Sequence, residues 1–420
     1  MKRFLSIFLL FSTVVFAQSW QVVGRMPYPV YGGQAVVIDS MIYILGGFSE
    51  KEYTSVNYIQ QYNPHTGDWT IIDTMKVARR NFVAGNYNNN VVYFGGTNYN
   101  SPYASSLEEW SGTSRSNIID SNQFLNRQYS TGTILGDTIF TFGGSSQTVG
   151  SQSPYMFEYN IKSSSVVFSS DTLFTGSIPA LQMSAAVGNN IYIIGGATTL
   201  GLLPTIIRYN ILYKEFSILS DTLLKPRAEG AAVTCGNEIY VIGGRSETHS
   251  AVNSVDVINI NGDGSINNLQ SGPALNNARS EPMAVYYNGA IYVFGGKNVD
   301  NEGETQPVSA IEKLDIITGI YDSQPLIATG FKLDNNYPNP FNPSTQITFT
   351  IAKESHVSLD IYNILGEHIK NLTSKIYAPG NYRLTWDGTN NSGRQVAGGI
   401  YVYKLSSDYF TDAKKMMLLK

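Results

Sequence analysis

The chain has 420 residues, with 28 Lys+Arg against 32 Asp+Glu, a net charge of -4 that gives no general pull toward nucleic acid. Only 14% of residues are charged while 42% are hydrophobic, with 39 Gly and 28 Tyr, which excludes a disordered chain and suits a β-rich packed one. A single cysteine, Cys235, excludes an internal disulfide, so an exported form has to rest on its core.

Met1-Lys2-Arg3 opens a positive n-region, and Phe4 to Phe16 is apolar apart from Ser6, Ser12 and Thr13. Val15-Phe16-Ala17 offers a small-residue cleavage site before Gln18. Residues 1–17 read as a secretory signal peptide, since the run is too short to span a bilayer comfortably. No second run of spanning length follows, so no transmembrane segment is expected after signal removal.

From residue 18 to about 325 one pattern repeats. Gly-Gly pairs begin at 46, 95, 143, 195, 243 and 295, in steps of 49, 48, 52, 48 and 52 residues. Each pair ends a short apolar run such as Ile239-Tyr240-Val241-Ile242 or Ile291-Tyr292-Val293-Phe294. The β-branched residue four before the glycine and the apolar character on both faces fit a strand buried between neighbouring sheets. Tyr62 and Trp69 stand seven apart, as do Tyr159 and Val166, and Tyr209 and Phe216. An arginine stands sixteen before the first glycine in four copies, Arg79, Arg127, Arg227 and Arg279, where Val30 and Pro179 stand in the others.

A period near ~50 ending a strand in Gly-Gly is the signature of kelch blades, and residues 20–325 resemble the kelch-repeat proteins in Gly-Gly, arginine and Tyr…Trp alike. The resemblance implies an all-β six-bladed propeller over residues 18–325 and leaves function open. Trp20 and Trp69 both lie 26 before the following first glycine and six before a methionine, so residues 20–23 are expected as the outermost strand of the last blade. The rival closure is Ile320-Tyr321, because Tyr321 is seven after Leu314.

Pro325, Gly330 and Asn335-Asn336 mark the end of the repeat, with residues 326–333 as linker. Residues 18–330 hold 16 Lys+Arg against 25 Asp+Glu, while residues 331–420 hold 10 against 7, a shift that marks a second domain. Gln346–Ile351, His356–Tyr362, Tyr382–Trp386, Gly399–Leu405 and Ala413–Leu419 alternate as strands, separated by Leu365-Gly366-Glu367, Pro379-Gly380-Asn381 and Asp387–Gly393. This spacing suggests a small immunoglobulin-like β-sandwich over residues 334–420. Asn336 to Thr345 (NYPNPFNPST), Ile361 to Gly366 (IYNILG), Trp386-Asp387-Gly388, Gly398 to Tyr401 and the terminal Lys414 to Lys420 together resemble the C-terminal sorting domain of type IX secretion substrates. The resemblance implies an outer-membrane secretion machinery as partner for residues 334–420, passage through the periplasm, removal of this domain, and a secreted or cell-surface product.

Signatures of catalysis are sparse. There is no phosphate-binding glycine loop, nucleophile elbow or cysteine cluster for zinc. Kelch copper oxidases need several histidines and a Cys–Tyr crosslink, whereas this propeller holds His65, His249 and Cys235. Asn259–Gly264 is similar to a calcium loop, but its twelfth position would be Gln270, so a polar turn is expected. Asp387–Gly393 is likewise read as a loop, and no cofactor or metal is expected.

The short turns Asn88-Asn89-Asn90, Gly136-Asp137 and Asn288-Gly289 join first and second strands. Arg79, Arg127, Arg227 and Arg279 therefore fall at the opposite end, with the loops after Gly-Gly that carry Lys51, Tyr99, Tyr103, Arg245, His249 and Lys297. A rosette of arginines at the channel mouth suits carboxylates or sulfates, giving an anionic glycan or acidic protein ligand as the expected partner. In kelch relatives that bind acidic peptides the arginine at this motif position contacts the ligand. The competing reading is structural, with Glu229 and Glu281, two residues after Arg227 and Arg279, neutralising them. A non-catalytic binding or adhesion module is expected. A carbohydrate-active enzyme resembling the exported kelch sialic acid mutarotases is the alternative, with pairs such as Arg227 and Glu229 as acid and base.

Overall fold

The six apolar runs become the second strands of six four-stranded antiparallel sheets. The computed structural model describes residues 18–98, 106–112, 114–119, 127–146, 156–170, 179–299, 304–316, 332–333, 336, 338–351, 355–377 and 380–419. The chain divides into two units, Met1–Ile317 and Thr318–Lys420.

In the first unit, blade 1 comprises Gln34–Ile38, Met41–Leu45, Tyr58–Tyr62 and Trp69–Thr74. Blades 2 to 5 repeat this order from innermost strands Val83–Tyr87, Thr131–Leu135, Met183–Val187 and Ala231–Cys235. Blade 6 takes Met283–Tyr287, Ala290–Phe294 and Ala310–Asp315 from the end of the repeat. Its outermost strand is Gln21–Arg25, which pairs antiparallel with Ala310–Asp315, Gln21 opposite Lys313 and Arg25 opposite Ala310. The N-terminus thus closes the ring and covers a sheet edge, while Tyr321 lies outside the described residues. Trp20 anchors this strand, buried, with its indole N–H donating to the Pro273 carbonyl at 2.8 Å. Each innermost strand lies beside the next, and the sixth returns to the first.

The core lies between blades. One cluster joins Val36, Tyr43, Leu45 and Ile59 of blade 1 to Phe82, Val91, Tyr93 and Trp110 at blade 2. Another joins Tyr192, Ile194 and Ile206 to Ile239, Val241 and Ile258. Full burial of each such side chain contributes roughly 1.5–3 kcal/mol, so no blade covers its faces alone. Cys235 is one of these buried groups, and burial pushes its thiol up to about 12, which fits a small inert hydrophobe.

The Gly-Gly pairs stitch blade to blade. Gly46 has a φ of 56°, and a Cβ there would lie 2.5 Å from the Arg79 carbonyl of the next blade. The second glycine then donates its N–H to that same carbonyl, Gly47 to Arg79 at 2.9 Å, Gly196 to Arg227 at 2.9 Å and Gly244 to Arg279 at 2.9 Å. The pair is a docking slot for the neighbouring backbone, which only glycine leaves open.

The second unit holds two sheets. One orders Lys332–Leu333, Thr345–Ile351 and Gly380–Trp386; the other orders His368–Tyr377, Ser355–Asn363, Gly399–Ser407 and Thr411–Leu418. Phe341, Ile347, Phe349, Ile361, Trp386 and Tyr403 are buried between them. Two expectations are revised. Lys332 and Leu333 pair with Thr350 and Phe349, so the sandwich begins before residue 334. His368–Tyr377 is a further strand, which sequence reading passed over because only Thr373 and Tyr377 of its ten residues are buried and the apolar alternation is thin.

Candidate functional site

Arg79, Arg127, Arg227 and Arg279 do not line a basin. Their relative exposures are 0%, 2%, 2% and 0%, which corrects the expectation that they meet a ligand. Each guanidinium turns inward and donates to the carbonyl of its own blade's first glycine, Arg79 to Gly95 at 3.0 Å, Arg127 to Gly143 at 2.7 Å and Arg279 to Gly295 at 2.9 Å. An acid on the third strand completes the pairing: Glu108 for Arg79, Asp256 for Arg227 at 2.7 Å and Glu312 for Arg279 at 2.5 Å. The Arg127 guanidinium lies 4.4 Å from the centre of the Phe157 ring. Burial pulls Arg79, Arg227 and Arg279 below the usual guanidinium range, and the paired carboxylate opposes it in each. The backbone of each arginine joins two blades, and its side chain staples the second one.

The partners of Arg227 and Arg279 are thus not Glu229 and Glu281, as the structural alternative expected. Those two residues belong to a ring of their own. Gly32, Asn81, Tyr129, Leu181, Glu229 and Glu281, each two residues past the arginine position, all adopt left-handed backbone with φ between 50° and 66°. Their peptide groups form a closed cycle: Gly32 donates to Glu281, Asn81 to Gly32, Tyr129 to Asn81, Leu181 to Tyr129, Glu229 to Leu181 and Glu281 to Glu229, at 2.7–3.3 Å. Five of the six are not glycine, an arrangement that costs of order 1 kcal/mol or more per residue and persists because the ring fixes it. Only Gly32 and Asn81 carry the usual residue preference for this conformation, so the common offset was the sole sequence signal for the ring.

A cavity of about 170 Å³ opens at this ring, lined by all six innermost strands. Among its lining residues the charged ones are Glu229 and Glu281. Arg245, the residue after blade 5's Gly-Gly, donates from Nε to Glu229 Oε1 at 3.0 Å. Lys297, at the equivalent place in blade 6, meets Glu281 Oε1 at 2.6 Å and lies 4.5 Å from the Tyr31 ring. Tyr31 donates to Glu50 at 2.7 Å, and burial, then that bond, push its hydroxyl well above the ordinary range. Burial raises the Glu229 pKa, the Glu281 charge adds to it, and Arg245 and Lys297 oppose it. On the other side of the mouth Tyr129, Leu181 and Gln182 are uncharged. The mouth therefore has one ionic wall, from blades 5, 6 and 1, and one neutral wall from blades 3 and 4.

Of the expected site residues, Arg245 and Lys297 pair with the two lining glutamates without lining the cavity themselves. His249 and Lys51 are exposed on their loops, and Tyr99 and Tyr103 lie outside the described residues. In the calcium-like turn, Asp263 accepts from the Ser265 amide at 2.9 Å and hydroxyl at 2.7 Å, as a polar turn does. Asp387 accepts from Thr389 and from Lys370 at 2.9 Å, which holds its carboxyl at about 2.

Comparison with known proteins agrees with this architecture. The Kelch motif matches residues 29–76 and 226–263, and the FlgD Ig-like domain matches residues 338–409. An F-box/kelch-repeat protein of Arabidopsis thaliana is 30% identical over 131 residues, 31% of this chain and 30% of that protein. A kelch-like protein of Aspergillus terreus is 24% identical over 246 residues, 52% of this chain and 51% of that protein. Beta-scruin of Limulus polyphemus is 23% identical over 309 residues, 66% of this chain and 31% of that protein. The chain thus spans 30%, 51% and 31% of the length of these three relatives. It is a kelch propeller protein with a C-terminal Ig-like domain.

Proposed function

We propose that this chain is an exported binding module whose propeller mouth holds a small polar group of a glycan at the cell surface. The observation that carries the reading is the cavity lined by Glu229 and Glu281, with Arg245 and Lys297 fixing one oxygen of each. Buried carboxylates held this way present acceptors of fixed direction, which is how sugar hydroxyls are commonly oriented in a concave site. The preference for anions expected from the four arginines has lost its chemistry, because those guanidiniums are engaged inside the blades. A glycan and peptide array probed with the full chain, repeated with Glu229→Gln, tests the reading: retained glycan binding by that variant at full strength would count against the mouth.

Export is the second part of the proposal. The motifs Asn336 to Thr345, Ile361 to Gly366 and Lys414 to Lys420, borne on an Ig-like sandwich, support delivery by a type IX machinery through the periplasm to the surface or medium. Removing residues 332–420 should trap the propeller in the periplasm, and its normal arrival outside the cell would defeat this.

One observation favours an enzymatic second reading. Glu229 has a raised pKa in a cavity and an arginine at 3.0 Å, the features of a proton-transfer group at a sugar's anomeric centre. Anomer exchange followed by NMR separates the readings, since a binding module leaves the exchange rate unchanged.

A further inference from the structure

We propose that the cavity seats the primary ammonium group of an amino sugar, with Glu281 as its direct partner and Asn81 as the second acceptor. The inference names a ligand for the mouth and so rests on the binding reading above.

Glu281 carries the argument. Its side chain is 9% exposed, and Oε1 is taken by Lys297 at 2.6 Å. Oε2 is buried and has no hydrogen-bond partner among the described residues. A buried carboxylate oxygen without a donor is a standing cost that a bound donor removes. Asn81 supplies a second acceptor close by. A Cβ built on Gly32 would come within 2.6 Å of Glu281 Oε2 and 2.8 Å of Asn81 Oδ1, so both oxygens crowd the same glycine, and all three residues line the cavity. Gly32 is the one glycine in the ring of six, and it stands between these two residues in the hydrogen-bonded cycle.

The charge pattern selects the donor. Glu229 and Glu281 line the cavity, whereas Arg245 and Lys297 do not. An anion would meet the acidic side of both pairs. A neutral hydroxyl would supply one donor and no charge. An ammonium supplies three donors and no acceptor, and can give a charged hydrogen bond to the Glu281 oxygen that Lys297 leaves open. The rest of the lining mixes hydroxyls and amides, Ser130, Thr131, Gln182 and Ser184, with apolar side chains such as Phe82 and Met283. The polar share gives a sugar's hydroxyls partners that the methylene stem of a lysine cannot use. At about 170 Å³ the cavity holds one terminal residue, not a chain.

The test is calorimetric titration of the full chain with glucosamine, glucose, N-acetylglucosamine and Nα-acetyl-lysine amide at pH 7. Glucosamine is expected to bind at least tenfold more tightly than the other three. Equal affinity for glucose and glucosamine would overturn the ammonium seat while leaving a sugar-binding mouth intact. Tighter binding of the lysine amide would overturn the amino sugar, and no binding of any of the four would overturn the seat outright. Glu281→Gln should abolish the preference for glucosamine over glucose. Should that variant fold poorly, Asn81→Leu is the second arm, because Leu181 already occupies the equivalent left-handed position. It should weaken glucosamine severalfold, and unchanged affinity in a folded variant would remove Asn81 from the seat.

Discussion

Blades 2, 5 and 6 differ from blades 1 and 4 at two positions that change together. The third-strand residue opposite the position two before the first glycine is Glu108, Asp256 or Glu312 in the former set. It is Gln60 in blade 1 and Ile207 in blade 4. The residue sixteen before the glycine is arginine in the first set, and Val30 or Pro179 in the second. Charge is present at both positions or at neither. Blade 3 is intermediate, with Arg127 against Phe157. A ligand-binding arginine has no need of a buried acid from its own blade, whereas a staple does. The comparison teaches that the arginine signature of this propeller belongs to blade construction, and that blades lacking it fold with an apolar or neutral pair instead.

The strongest way to break that conclusion is to unpair a staple. Arg279→Ala leaves Glu312 buried at 0% exposure, still held by Asn276 and Asn277 but without its counter-charge. The expected loss is about 3–5 kcal/mol in chemical denaturation. Replacing both partners, Arg279→Leu with Glu312→Leu, imitates blade 4 and should recover most of that loss. A double variant as unstable as the single would mean that Arg279 acts through its carbonyl contacts to Gly295 and Ala310 and not through the pair.

Blade 3 sharpens the comparison at smaller cost. Phe157→Leu keeps an apolar side chain at the acid position but removes the ring beneath Arg127. A desolvated cation–π contact is worth about 2 kcal/mol, so a loss of about 1–2 kcal/mol in the same assay is expected. No loss would show that the Phe157 ring does not hold Arg127.

The repeat itself was readable because its period, its Gly-Gly pairs and its β-branched runs are local features of a chain that must pack identical sheets. N-terminal closure was readable for the same reason, from the offset shared by Trp20 and Trp69. The side-chain direction of the arginines was not. The sixteen-residue offset put their backbones at the correct end of each blade, but rotamer and partner come from the third strand, some thirty residues on. Glu108 and Glu312 sit in short strands beside buried apolar residues, Leu107 and Trp110 in one and Ile311 and Leu314 in the other, and a buried acid in such a strand calls for a cation. The mouth was half readable: Arg245 and Lys297 stood out by their loops, while Glu229 and Glu281 stood out only as neighbours of the wrong arginines.

The subtlest expected effect is a pH dependence, which sets the two kinds of acid against each other. Glu312 is a staple acid: burial raises its pKa, but hydrogen bonds from Asn277 and Asn276 and the Arg279 charge outweigh that and hold it below the ordinary range. Glu229 is a mouth acid whose pKa is raised by burial and by Glu281. The two contribute to stability with opposite pH dependence. A depressed carboxyl releases its proton more readily folded than unfolded, so its contribution is complete above about pH 4.3 and fades as pH falls through the folded value. A raised carboxyl binds its proton more tightly when folded, so stability is lost as pH rises from about 4.3 through the folded value. Glu312→Gln should therefore cost most at neutral pH, with the deficit shrinking in acid. Glu229→Gln should be near neutral in acid and grow more stable than the parent as pH rises through the raised value, then level off. Urea denaturation from acid to neutral pH reads both curves. Parallel curves for the two variants would mean that Glu229 is held like a staple, and that the mouth does not keep a carboxylate at a cost that ligand binding could relieve.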